Sequence, residues 1–179
     1  DNPTSRYSTG FSGRSVDSFA PMRTFRLYDT LEKRQKELKT QEPGKLKFYT
    51  CGPTVYSYAH IGNFRSFLTA DLIVRTAQAL GWQVDWVVNI TDVGHLTQDD
   101  IADASGEDKM ERALRSEEGR GFHNVWDLAD HYARAFLDDW RRLNLVEPMV
   151  RPRATQHVRE QILATQELID LGKAYETPT

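Results

Sequence analysis

Residues 51–66 read CGPTVYSYAHIGNFRS, and several side chains here are suited to chemistry. His60-Ile61-Gly62-Asn63 stands just ahead of a helix-like run. Gly62 lets a ligand approach the backbone closely. The first helical turn aims free N–H groups and a positive dipole end at the same point, so a phosphate is the natural occupant. His60 adds a donor that can stabilise charge growing on a phosphate. The plainer alternative is that His60 and Gly62 only shape a loop before a helix. Cys51, the only cysteine, lies nine residues before His60. Taken alone it reads as a buried thiol packing like a small hydrophobe. A second candidate stretch, NITD at 89–92, offers Thr91 and Asp92. Thr91 and Asp92 fall at the expected carboxyl end of a strand, where open α/β sheets place ligands. Their plainer roles are those of cap or turn residues. Thr54 has the same two options, capping the loop or touching a ligand.

The elements around these residues follow from periodicity. Leu46–Thr50 (LKFYT) and 83–90 (QVDWVVNI) read as strands. Between them, FRSFLTADLIVRTAQALG sets Phe64, Phe67, Leu68, Leu72, Ala79 and Leu80 near one helical face, with Gly81 as the stop. Strand, loop, helix and strand at this length form a βαβ crossover, expected to be right-handed with a parallel sheet. Upstream, 24–28 reads as a short strand, 31–38 as a helical turn or loop, and Glu42-Pro43-Gly44 as a turn. Downstream, 91–106 reads as an exposed polar loop and 107–118 as holding a short helix. Val125, Ala129, Tyr132, Phe136 and Trp140 mark an amphipathic helix with Asn124 as its N-cap. Pro148 and Pro152 bracket a linker. A last helix spans about 154–171, with Val158, Ile162, Thr165 and Ile169 inward and Gly172 as the stop.

Composition narrows the class. The 179 residues suit one domain, and 39% apolar with 27% charged residues suits a globular core. A net charge of −3 argues against a dedicated nucleic-acid grip on this piece. One cysteine forms no internal disulfide, so the context reads as reducing and cytoplasmic. No run approaches a membrane span, and no membrane partner is expected. Residues 1–21 are polar, rich in Ser and Gly, and read as a flexible extension, a cleaved targeting peptide being the lesser alternative. Few strands precede the end at Thr179, so 22–179 reads as the front part of a larger α/β catalytic domain.

The ordered set CGPTVY, HIGN, VVNITD and RPRATQHVREQILATQELIDLGKAYE resembles cysteinyl-tRNA synthetases, a family of class I aminoacyl-tRNA synthetases, over about residues 22–179. The resemblance implies a Rossmann-like parallel sheet with flanking helices, ending in a helical segment. It implies activation of L-cysteine by ATP with Mg²⁺ to cysteinyl adenylate, then transfer to tRNA(Cys), by a monomer. His60 and Asn63 would be catalytic, and His60, Gly62 and Asn63 would hold ATP. Asn63 replaces the second His of the family's HIGH-type motif, keeping a neutral donor and acceptor but no charge. Gly52, Thr54 and Thr91 would contact the substrate cysteine. Cys51 would be one Zn²⁺ ligand. The family's other ligands, Cys, His and Glu, and its KMSKS loop lie further along than Thr179. None of His95, His123, His131 and His157 matches a ligand, His131 and His157 reading as surface or capping residues. The chain alone is therefore expected to be inactive and to bind zinc weakly or not at all. Three alternatives stay open: a truncated non-catalytic paralogue serving as a binding module, a cysteine ligase with an amino-sugar acceptor, and a small nucleotidyltransferase.

Overall fold

The structure is a computed structural model that describes residues 24–93 and 109–177. The expected extension at 1–21, most of the polar loop and His95 lie outside the described residues.

The centre is a parallel pair, β1 (Lys45–Thr50) and β2 (Gln83–Val88), joined by helix α1 (Ile61–Ala79). Phe48 faces Trp86 and Thr50 faces Val88 across the pair. Alternation along β2 turns Trp86 and Val88 into the core, both almost fully buried. The predicted βαβ unit and its parallel pairing are therefore present. The predicted face of α1 needs adjustment. Phe64, Phe67, Ala70, Val74 and Ala77 are buried, whereas Leu72 is 64% exposed and Ala79 is exposed. A 100° step per residue carries Leu72 off the stripe that Phe64, Phe67 and Val74 define.

Helix α2 (Lys109–Arg115) is the short helix expected near 107–118. Helix α3 (Val125–Arg142) begins at Asn124, whose side chain accepts from the Asp127 N–H at 2.9 Å. Phe136 and Trp140 of α3 join Phe64 and Phe67 of α1 against Trp86 and Val88. A second cluster joins Val55, Ile90 and Met110 to Leu128, Ala129 and Tyr132. Helices α1 and α3 thus pack on the sheet through one core, and α2 and α3 pack against Val55 of the loop after β1.

Three readings change. Residues 31–38 are not a helical turn: Arg34–Glu37 is strand β4, antiparallel to β3 (Arg26–Asp29). Charged side chains hide this strand, because its cross-strand support is ionic, with Lys36 bonded to Glu32 and Asp29. The Pro148–Pro152 linker is a third parallel track beside β2. The Val88 N–H donates to the Val150 carbonyl at 3.2 Å, and the Ile90 N–H to the Pro152 carbonyl at 2.9 Å. Pro152 lacks a donor but offers its carbonyl, which an edge position permits. Finally, 154–171 divides into a 3-10 turn (Ala154–His157) and helix α4 (Val158–Asp170), and α4 buries none of its residues. Val158 and Ile162, expected inward, are 46% and 63% exposed, with no covering element among the described residues. Thr165 is exposed too, and Ile169 is half-buried. No described helix is long and apolar enough to cross a membrane.

Candidate active site

The candidate residues gather at the carboxyl ends of β1 and β2. Beyond β2 the chain is gripped on both sides. The Thr91 N–H donates to the Pro53 carbonyl at 2.9 Å, and the Val55 N–H donates to the Thr91 carbonyl at 3.1 Å. Thr54 and Thr91 therefore stand opposite each other in a parallel bridge. On the other side, the Ala154 N–H donates to the Ile90 carbonyl at 3.0 Å.

Gly52 is required by close approach rather than by dihedral freedom. A Cβ there would sit 1.6 Å from the Asn89 carbonyl oxygen. The Gly52 N–H donates to Asn89 Oδ1 at 2.7 Å, and the Tyr49 phenol donates to the same oxygen at 3.0 Å. Asn89 Nδ2 donates to Thr91 Oγ1 at 3.1 Å. Partial burial, and to a lesser degree the neighbouring Cys51, push the Tyr49 phenol above its ordinary value. It is thus a protonated donor at neutral pH.

Asp92 does not face the cavity. Its carboxylate is 2% exposed and accepts from the Thr155 N–H at 3.0 Å and the Thr155 hydroxyl at 2.8 Å. Arg153 bridges Asp92, at 3.8 Å, to Asp130 of α3, at 2.6 Å. Asp92 is the anchor that its plainer reading describes, tying the strand end to the start of the last helical segment.

At the other end of the loop, the HIGN turn caps its own helix. The Gly62 N–H donates to His60 Nδ1 at 2.9 Å, and the His60 N–H donates to Asn63 Oδ1 at 3.0 Å. This is a capping box built from His and Asn. It corrects the expectation that the first turn offers its N–H groups freely. The Asn63 N–H is also used, donating to the His60 carbonyl at 2.9 Å. The cap fixes what remains for a ligand. With Nδ1 accepting, the neutral imidazole carries its proton on Nε2, and with Oδ1 accepting, Asn63 keeps its Nδ2 donor. Gly62 is again a close-approach glycine, since a Cβ would lie 2.5 Å from His60 Cε1.

A cavity of about 380 Å³ runs between these ends, lined among others by Cys51, Gly52, Thr54, Asn63, Ser66 and Tyr132. It brings together four of the predicted residues: Cys51, Gly52, Thr54 and Asn63. His60 and Gly62 stand at the helix cap beside it, and Thr91 lies behind Thr54. Tyr58 lines the cavity, with its phenol 3.0 Å from His131 Nε2 and its ring edge-on to Tyr132 at 5.0 Å. His131 is thus an exposed surface residue of α3 that meets Tyr58, and His157 bonds the Arg153 carbonyl at 3.0 Å.

Asn89, Tyr58 and Tyr132 went unselected from the sequence. Asn89 carried a signal, being a polar residue between buried Val88 and Ile90. Cys51 is exposed and free. A catalytic zinc centre needs three protein ligands and a structural one four. The described residues supply no group of three His, Cys, Asp or Glu side chains placed to hold a metal. By themselves they do not build a zinc centre around Cys51.

A parallel sheet with helices over it, ending in a cavity beside a His-x-Gly helix cap, is the architecture of part of a class I synthetase catalytic domain. The chain belongs to the family of class I tRNA synthetase (C) catalytic domains, whose family model matches residues 37–179. It is 62% identical over 157 residues to the cysteine–tRNA ligase of Salinibacter ruber, covering 88% of this chain and 30% of that protein. It is 45% identical over 151 residues to cysteine–tRNA ligase 1 of Burkholderia lata, covering 84% and 31%. With the cysteine–tRNA ligase of Novosphingobium aromaticivorans it shares 42% identity over 158 residues, covering 88% and 30%. The chain thus spans about three tenths of the length of these relatives.

Proposed function

We propose that this chain is the HIGH-type part of a cytoplasmic cysteine–tRNA ligase, a reading carried by the cavity that runs from Cys51 to the helix cap. One end of that cavity offers a thiol, the Gly52 backbone and the Thr54 hydroxyl. The other end offers neutral donors beside a helix N-terminus. An amino acid at the first end and the phosphates of ATP, with Mg²⁺, at the second bring a carboxylate toward the α-phosphate. The carboxylate oxygen attacks that phosphorus, the bond to pyrophosphate breaks, and an aminoacyl adenylate forms. A tRNA 3′-terminal hydroxyl then displaces AMP from the carbonyl. The roles of His60 Nε2–H and Asn63 Nδ2–H are to hold phosphate oxygens as negative charge shifts among them. Neither group needs to titrate for this role, so the replacement of a second histidine by Asn63 is compatible with it. Thr54 faces the amino acid from the cavity wall, and Thr91 stands beside it on the paired strand end. The relatives' names favour a tRNA acceptor over an amino-sugar one.

Zinc at Cys51 belongs to the same reading only if further ligands come from another part of the polypeptide. Residues 1–179, loaded with zinc and dialysed, are expected to retain well under one equivalent per chain. Metal analysis finding one tightly held zinc would overturn that expectation.

The functional reading is tested by ATP–pyrophosphate exchange. A polypeptide extending this chain to the length of its relatives is expected to exchange with cysteine and not with serine. Residues 1–179 alone are expected to give none. Absence of cysteine-dependent exchange in the longer polypeptide would refute the proposal.

A further inference from the structure

We propose that Asn89 is the positioning residue of the amino-acid end of the site, setting the direction in which the Thr91 hydroxyl donates. This rests on the functional reading above. The amide orientation is fixed by its partners. The Gly52 N–H can only donate, so the atom 2.7 Å from it must be the amide oxygen. The Tyr49 phenol, at 3.0 Å from that oxygen, donates to it as well. The amide nitrogen is thereby turned toward Thr91 Oγ1 at 3.1 Å. Nitrogen donates, so Thr91 accepts, and the hydrogen of Thr91 is left for a different acceptor. A threonine flanked by a hydrogen-bond acceptor would spend that hydrogen inside the protein. No described group takes that hydrogen from Thr91, and under the functional reading the carboxylate of an amino acid is its acceptor.

One side chain thus performs two tasks. Its oxygen pins the backbone that follows Cys51, thirty-seven positions away in sequence. Its nitrogen sets the polarity of Thr91. Gly52 and Asn89 are in such close approach that no side chain fits between them, so their relative placement is tight. None of the plainer roles of a half-buried asparagine at a strand end requires these three simultaneous partners.

The variant that separates the tasks is Asn89→Asp. A carboxylate still accepts from Gly52 and Tyr49, but it also accepts from Thr91 and so captures the hydroxyl hydrogen. In the polypeptide extended to full length, Asn89→Asp is expected to raise the KM for cysteine about tenfold or more, the worth of one hydrogen bond to a charged group. The KM for ATP should move less than twofold. Because the new charge could act by repulsion alone, the substitution is repeated in a Thr91→Val background. If Asn89 acts through the Thr91 hydroxyl, Asn89→Asp adds less than twofold there. An equal effect in both backgrounds overturns the proposal, as does an unchanged cysteine KM in the single variant. The loop-pinning task is read separately by amide hydrogen exchange of Gly52 in residues 1–179. Protection should persist in Asn89→Asp and fall at least tenfold in Asn89→Ala, and equal protection in both would overturn the pinning. If the unsubstituted full-length polypeptide shows no cysteine-dependent exchange while Gly52 behaves as expected, the functional reading fails and the pinning stands.

Discussion

Gly52→Ala is expected to destabilise the chain by about 3 kcal/mol or more, placing it in the tail of point-mutant effects. The reason is geometric. The added Cβ would lie 1.6 Å from the Asn89 carbonyl oxygen, 2.7 Å from its carbonyl carbon and 3.2 Å from Val88 Cγ1. The first two are backbone atoms, so no rotamer change relieves the overlap. The carboxyl ends of β1 and β2 must separate, and the Gly52 N–H loses Asn89 Oδ1. A buried donor left unmatched adds to the cost. Thr54 and Thr91 face each other through the same junction, so the amino-acid end should suffer beyond the loss of stability. A displacement near 1 Å costs about a hundredfold in rate, and a fall of that size is expected in cysteine-dependent exchange by the full-length polypeptide. Gly121→Ala is the control. Nothing lies within 4 Å of a Cβ there, so its effect should stay within about 0.5 kcal/mol. Urea unfolding of both variants decides the matter, and similar midpoints would contradict the close-approach argument.

Trp140→Ala should be still more damaging to stability, at about 4–5 kcal/mol. The indole is fully buried and meets Phe67, Trp86 and Phe136 with ring centroids 5.6, 5.4 and 5.6 Å away. It is the point where α1, α3 and β2 share one core. Its Nε1–H donates to the Val146 carbonyl at 3.2 Å. Arg151, on the third parallel track, lies over the ring with Cζ 4.7 Å from its centroid. Arg151 Nε and Nη2 are buried without a hydrogen-bond partner, so the π face is what they meet. Removing the indole leaves a cavity and strands part of a guanidinium beside it. Domains hold only about 5–15 kcal/mol in total, so much of the molecule's margin would go. Trp140→Phe keeps most of the packing and loses the hydrogen bond, and should cost roughly half as much. A chemical denaturation midpoint for Trp140→Ala close to that of the unsubstituted chain would show that the core is not organised around this ring.

The sequence was legible where apolar periodicity and punctuation agree. The strand at 45–50, the helix that follows and the strand at 83–88 obey that rule, and Asn124 marks the start of α3 as read. It was opaque where support is ionic or comes from far along the chain. Arg34–Glu37 has no apolar stripe, because Lys36, Glu32 and Asp29 bind it to its neighbour. The track around Val150 pairs with β2 through backbone groups, and prolines on either side of it conceal the pairing. Within the candidate site, residue types and spacing pointed to His60 and Gly62, whereas Cys51 and Gly52 came only from the family resemblance. The contacts of Asn89 stayed hidden because its oxygen binds an amide thirty-seven positions upstream. The inward face assigned to α4 failed for a different reason: amphipathicity states what a helix wants covered, and no described element covers it.

The capping box at His60 and Asn63 has a consequence for selectivity. The helix end is already occupied by a base tethered to its own backbone, so an arriving anion competes with an intramolecular rival that never dilutes away. A small inorganic anion offers one point of attachment and gains little by evicting it. A ligand anchored elsewhere in the same hollow suffers no such handicap, because its phosphates are delivered to the cap at high local concentration. Under the proposed function the turn would therefore act as a filter on valency, ignoring stray ions and yielding to molecules that reach both ends at once.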